Sequence, residues 1–231
     1  MRYPLIDFLK GFAILNVIAF HFLYDIYVMT GANPDWPFGL WVSLWQETGL
    51  SLLMVLGGMS ARLMGQAKRW RNGVKLVALG LAISLGTYLL MPSELILYGV
   101  LNFFGCALLL TAALERRGLL SEVSPASGLA ACAFGYLLTY RIQQFYAATD
   151  ALAILGLRSR EFYSADYVPL LPYVFVFWTG FFALQLLKKY TPGLLQLGAW
   201  KPMRFLGKHS LGIYLAHQPV LVGVLKMLNV L

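Results

Sequence analysis

The stretch GFAILNVIAFHFLYDIYVM, residues 11–29, is apolar enough to cross a bilayer, yet it carries His21 and Asp25 one helical turn apart. An imidazole titrates near neutrality and serves as a general base, and a carboxylate one turn further on can take a ring N–H and fix its tautomer. Lys10 precedes His21 by eleven residues, close to three helical turns, so the two share a face about 16 Å apart along the axis. One face therefore runs from a cation near one end to a histidine near the other. Asp7, three residues before Lys10, either pairs with it structurally or belongs to the same polar machinery. A histidine hydrogen-bonded only for packing is the competing account of His21.

Further polar residues interrupt other apolar stretches. WQETGLSLLMVLGGMSARL places Gln46 and Glu47 at one end of a hydrophobic run, with Glu47 facing either a cavity or the interface. YGVLNFFG sets Tyr98 and Asn102 one turn apart, which suggests a shared face. SADYVPLLPY brings Asp166 and Tyr167 to a proline-bounded helix entry, where Ser164 or Asp166 can equally serve as a cap. FLGKHSLGIYLAHQPV is the richest stretch. Ser210, Tyr214 and His217 fall at i, i+4 and i+7, a polar stripe followed by Gln218, while Arg204, Lys208 and His209 cluster at its start, where phosphates can be met.

The elements that must hold these groups are membrane helices. Of 231 residues, 59% are hydrophobic and 12% charged, and the mean hydropathy of +0.69 lies far outside the range of soluble domains. About seven apolar segments are legible, roughly 5–28, 38–62, 73–91, 95–114, 126–145, 167–187 and 205–228, the last interrupted at Gln218-Pro219. The expected fold is all-α, a polytopic bundle of one domain over residues 1–231. Lys10 stands where a signal peptide would be apolar, and no small-residue cleavage site follows, so the first segment is expected to stay in the mature chain.

Basic residues set the expected orientation. Arg62, Lys68, Arg69, Arg71 and Lys75, then Arg116 and Arg117, then Lys188, Lys189, Lys201, Arg204 and Lys208 occupy alternate connections, which places these and the N-terminus in the cytoplasm. The net charge of +8 and pI near 9.5 then reflect topology and anionic lipid, and nucleic-acid binding is set aside. Cys106 and Cys132 lie in apolar stretches without metal-ligand spacing, so no metal is expected.

Taken together, IDFLKGFAILNVIAFHFLYD, SADYVPLLPYVFVFWTG and FLGKHSLGIYLAHQPV resemble bacterial membrane proteins related to heparan-alpha-glucosaminide N-acetyltransferase, a group also catalogued as a family of unknown function. The likeness runs over nearly the whole chain. A basic residue followed after ten residues by histidine is also similar to the signature of membrane acyltransferases that modify surface polysaccharides. Lys10 and His21 match that pair and Asp7 the acid before it, although lysine stands where arginine is more usual and lacks its planar fork.

The resemblance implies transfer of an acetyl or other acyl group from cytoplasmic acetyl-CoA, as co-substrate, to a glycan or lipid-linked acceptor at or across the bacterial inner membrane. His21 would act as general base and Asp25 orient it, with Asn102, Tyr98 or Tyr214 supplying oxyanion donors. Lys208, His209, Ser210 and Arg204 would meet CoA phosphates, with Lys10 on the pantetheine path; Glu47, Tyr98, Asp166, Tyr167, His217 and Gln218 would face the acceptor. Homo-oligomers are compatible with this reading. A transporter or binding protein for a lipid-linked or quinone-like molecule, with His21 and Asp25 relaying protons, is the alternative.

Overall fold

A computed structural model describes residues 2–120, 122–198 and 200–230. Among them the regular structure is helical: α1 (Pro4–Tyr24), α2 (Leu40–Arg62), α3 (Gln66–Leu90), α4 (Val100–Arg116), α5 (Pro125–Thr139), α6 (Tyr173–Tyr190), α7 (Lys201–Lys208) and α8 (Ser210–Met227), joined by short 3₁₀ turns. Six of the seven apolar segments each overlap one α-helix, and the seventh, 205–228, takes in the end of α7 and all of α8. Two helical stretches, Pro4–Met29 and Gln66–Leu90, are both long and apolar enough to cross a membrane. Others are shorter; α5, with 15 residues, rises only about 22 Å, less than a hydrocarbon core of about 30 Å.

The chain divides into two compact units, one formed by residues 1–56 and 187–231 and the other by residues 57–186. In the first, Pro4 opens α1 at its first turn, where a missing N–H costs nothing, and Asp7 complements the helix dipole. Helix α7 runs antiparallel to α1 at very short range. A Cβ on Gly207 would overlap the Asp7 carbonyl, and one on Gly11 would overlap the Met203 carbonyl, so this crossing requires glycine on both helices. After Tyr24 the helix widens into a single π-helical turn, Asp25–Met29.

The helix break in the last apolar segment corrects the expectation. It falls at His209, between α7 and α8, whereas Pro219 lies inside α8, which continues around it. Lone prolines are tolerated where neighbours re-satisfy the freed backbone carbonyl.

In the second unit α3 and α4 pack antiparallel, the Gly105 backbone against Gly73 and Val77. Arg69 on α3, 3% exposed, pairs with Glu115 on α4, and its guanidinium and that of Arg62 both lie over the Phe181 ring, at 5.7 and 4.9 Å. The Gln185 amide oxygen accepts from Arg62 at 2.6 to 3.1 Å. Trp178 Nε1 donates to Thr111 Oγ1 at 2.8 Å, which joins α6 to α4.

Candidate active site

His21 and Asp25 do not form the expected dyad. Asp25 still lies one regular turn beyond His21, its backbone N–H bonding to the His21 carbonyl, yet its side chain is taken by another helix. Asp25, 0% exposed, instead accepts at Oδ1 from Gln218 Nε2 of α8 at 2.7 Å. His21 meets a different partner. Its ring lies edge-on to that of His217, with centroids 4.9 Å apart and planes at 63°.

Tautomer chemistry follows from the neighbour of His217. Its Nδ1 contacts the carbonyl oxygen of Tyr214, which only accepts, so Nδ1 carries the proton and Nε2 presents a bare lone pair. Nε2 of His217, Oδ2 of Asp25 and Oε1 of Gln218 are all buried and lack a hydrogen-bond partner among the described residues. Buried polar atoms left unmatched cost stability, so a cluster of three acceptors on adjoining side chains is a place prepared for donors that the folded chain does not supply.

One wall of this region is aromatic, a feature that sequence reasoning missed. Phe20 contacts His21 at 5.9 Å and Trp36 and Trp45 at 5.5 Å each, Tyr27 stacks on Trp36, and Trp45 Nε1 donates to Asn16 of α1. Asn16, a lone amide in an apolar helix five residues before His21, was the available signal.

The remaining expected residues of the first unit divide by exposure. Tyr214 and Ser210 are half-buried on α8, and the Tyr214 ring lies 5.3 Å from that of His217. Lys10 is half-buried on α1, and among the described residues no ion pair joins it to Asp7. Arg204 is half-buried, with Nε enclosed and unpartnered. Lys208 and His209 are exposed, and His209 turns back on its own helix, Nδ1 donating to the Phe205 carbonyl at 2.9 Å. Glu47 is exposed on α2.

In the second unit the expected acceptor-side residues build a junction. Tyr98 precedes α4, with φ of +54°, so it shares no helical face with Asn102, contrary to the expectation from their spacing. Asn102 is buried against Gly80 and its Oδ1 is unpartnered. Asp166 accepts the Val100 N–H at 3.4 Å, capping α4 and not its own segment, whose helix begins later, at Tyr173. Ser164 exchanges two hydrogen bonds with the Leu97 backbone, at 2.9 Å each, while Tyr98 stacks on Phe162 and Tyr167 donates to the Ala153 carbonyl. Desolvation at this junction pushes the Asp166 carboxyl above the usual carboxylate range.

A family model described as heparan-alpha-glucosaminide N-acetyltransferase, catalytic, matches residues 2–219. The chain belongs to this family. No curated protein and no solved structure matches it. The heparan-alpha-glucosaminide N-acetyltransferase match takes in α1 through the first half of α8, and so includes His21, Asp25, His217 and Gln218. Membership assigns acetyl transfer as the general activity class.

Proposed function

We propose that the chain is a multi-pass acyltransferase of the bacterial inner membrane, moving an acetyl or other acyl group from cytoplasmic acyl-CoA to a glycan or lipid-linked acceptor. The observation that carries this reading is the His21–His217 ring pair beside the unpartnered acceptors of Asp25 and Gln218. Support for the membrane comes from exposed apolar side chains: Val74, Leu81, Leu85 and Leu89 form a stripe along α3, which water would penalise and lipid tails would cover. Seven spans with the N-terminus in the cytoplasm follow from the alternation of basic connections.

In this mechanism His21 takes a proton from the acceptor's N–H or O–H as that nitrogen or oxygen attacks the thioester carbonyl. The tetrahedral oxyanion collapses, the C–S bond breaks, and the departing CoA sulfur receives the proton. The lone pair of His217 Nε2 stabilises the proton held by His21, so the two rings share one charge and never carry two. Asp25, through Gln218, keeps α1 and α8 aligned, and the Tyr214 hydroxyl serves as oxyanion donor. Lys10, Arg204, Ser210, Lys208 and His209 receive the CoA arm and its phosphates from the inner face.

The test is incubation of purified protein with radiolabelled acetyl-CoA and membrane glycan fractions, comparing wild type with His21→Ala. Labelled acceptor with wild type alone supports the reading. Absence of both labelling and thioester hydrolysis in wild type would sink it in favour of binding or transport.

A further inference from the structure

The connection between α5 and α6 contains a groove that the acetyl-transfer chemistry does not use. Its volume is about 730 Å³, and Tyr146, Thr149, Asp150, Ser159, Arg160 and Glu161 are among the residues that line it. The frame is preformed. Ala147 N–H donates to the Arg158 carbonyl at 2.9 Å, and Ser159 N–H donates to Asp150 Oδ1 at 2.8 Å.

Helix length bears on the depth of this groove. With 15 residues α5 rises about 22 Å, short of a hydrocarbon core of about 30 Å, and a short span is accommodated by bilayer thinning and by flanking residues at the headgroup level. Aromatic rings settle at that level. Residues 117–124, before α5, hold none, whereas Tyr140, Phe145 and Tyr146 follow the helix closely and are all exposed. Leu152 and Leu155, in the 3₁₀ turn Asp150–Leu155, are exposed as well. On the multi-pass reading, the groove therefore lies where lipid headgroups meet the chain, with apolar side chains beside it for acyl tails.

Its charges narrow the ligand. Asp150 and Glu161 stand against Arg160, and among the described residues no ion pair joins Arg160 to either carboxylate. The Arg160 guanidinium lies instead over the Tyr146 ring, 5.4 Å from its centroid. Cation and anions are thus separately available to a ligand. An anionic headgroup would satisfy Arg160 but meet two uncompensated carboxylates. A choline headgroup carries both charges, yet its quaternary nitrogen has no N–H to donate. A primary ammonium supplies three donors for the carboxylates and the Thr149 hydroxyl, while the phosphodiester of the same headgroup accepts from the Arg160 fork and the Ser159 hydroxyl.

We propose that this groove seats the phosphoethanolamine headgroup of a membrane lipid, with its ammonium on Asp150 and Glu161 and its phosphate on Arg160. The proposal rests on the multi-pass reading and is independent of the acceptor's identity.

The experiment delipidates the purified full chain in detergent and titrates it with phosphatidylethanolamine, phosphatidylcholine and phosphatidylglycerol of identical acyl chains, with bound lipid counted by mass spectrometry of the intact protein. Phosphatidylethanolamine is expected to bind about fivefold more tightly than either of the others. Asp150→Asn/Glu161→Gln, whose isosteric side chains keep the Ser159 N–H acceptor, should erase the preference over phosphatidylcholine, and Arg160→Gln should weaken both zwitterions. Equal binding of the three lipids, preference for phosphatidylglycerol, or a preference that survives the double variant would each overturn the proposal. Glycerophosphoethanolamine, which lacks acyl chains, should compete poorly; full competition would make a soluble phosphoester the ligand and overturn the lipid assignment. Retention of the chain in membranes washed with alkaline carbonate tests the multi-pass reading separately. A retained chain without lipid preference fails the groove alone, and a released chain overturns both.

Discussion

The imidazole of His21, in the middle of the first apolar segment, meets the imidazole of His217, near the other end of the chain, with ring centroids 4.9 Å apart. In the proposed mechanism the two rings share one proton, and removal of either ring ends that sharing. His21→Ala and His217→Ala are each expected to lower acetyl transfer about a hundred- to ten-thousand-fold, the double variant falling no further than the worse single one. Radiolabel transfer under single-turnover conditions, with thermal unfolding in detergent as control, measures both effects. Additive losses would show that the rings act independently.

The Gln218–Asp25 hydrogen bond ties α8 to the π-helical turn after α1. Gln218→Glu puts a second acid against Asp25 and removes the donor, so a loss of about 1–3 kcal/mol is expected. Adding Asp25→Asn supplies a donor from the other side and should restore most of the loss. A melting series over the four combinations tests the coupling, and a double variant no better than the single one would contradict the assigned bond.

Close approach of α1 and α7 makes Gly11 and Gly207 intolerant of a methyl group. Gly207→Ala should cost about 1–3 kcal/mol by forcing the backbones apart. Gly212 and Gly223, on α8, have open space where a Cβ would stand, and alanine there should stabilise by up to about 1 kcal/mol. Unfolding midpoints of the three variants should therefore move in opposite directions.

The ion pair between buried Arg69 and half-buried Glu115 joins α3 to α4. Glu115→Ala leaves the Arg69 guanidinium enclosed without a counter-charge and should destabilise by roughly 3 kcal/mol. Arg69→Met/Glu115→Leu should cost much less, because no charge is then stranded. Denaturation of the single and double variants distinguishes a lost charge partner from lost packing.

Asp166 couples the stability of the second unit to pH. Its carboxyl is raised by desolvation, so ionisation opposes folding: the penalty is absent below the unfolded pKa, near 4, and complete above the raised folded value. Asp166→Asn keeps an acceptor for the Val100 N–H and cannot ionise. The variant should match wild type near pH 4 and exceed it at neutral pH, as read from unfolding midpoints across that range.

Much of the helix plan was legible because apolar runs and helix length follow from local composition. Six of the seven apolar segments overlap a single α-helix each and the last holds a break at His209, while His21, Asp25, His217 and Gln218 stood out as polar interruptions. Partnership was not legible. Regular spacing paired His21 with Asp25, Tyr98 with Asn102, and Asp166 with its own helix; Asp25 is instead taken by Gln218 of a distant helix, and the other two pairings fail where the backbone leaves regular α-helix, at the positive φ of Tyr98 and in the connection before Tyr173.

By itself the amino-acid order determined that the chain is helical and apolar, which residues interrupt that apolarity, and, through its motifs, the family it belongs to. Tertiary structure alone decided that His21 faces His217 and that Gln218 holds Asp25. Helix formation depends on neighbours within a few residues, whereas these contacts depend on how α1 and α8 are rotated and spaced. Such rotation and spacing arise from contacts between helices distant in the chain, among them the backbone approach of α1 and α7 at Gly11 and Gly207, which leaves no periodic trace in the sequence.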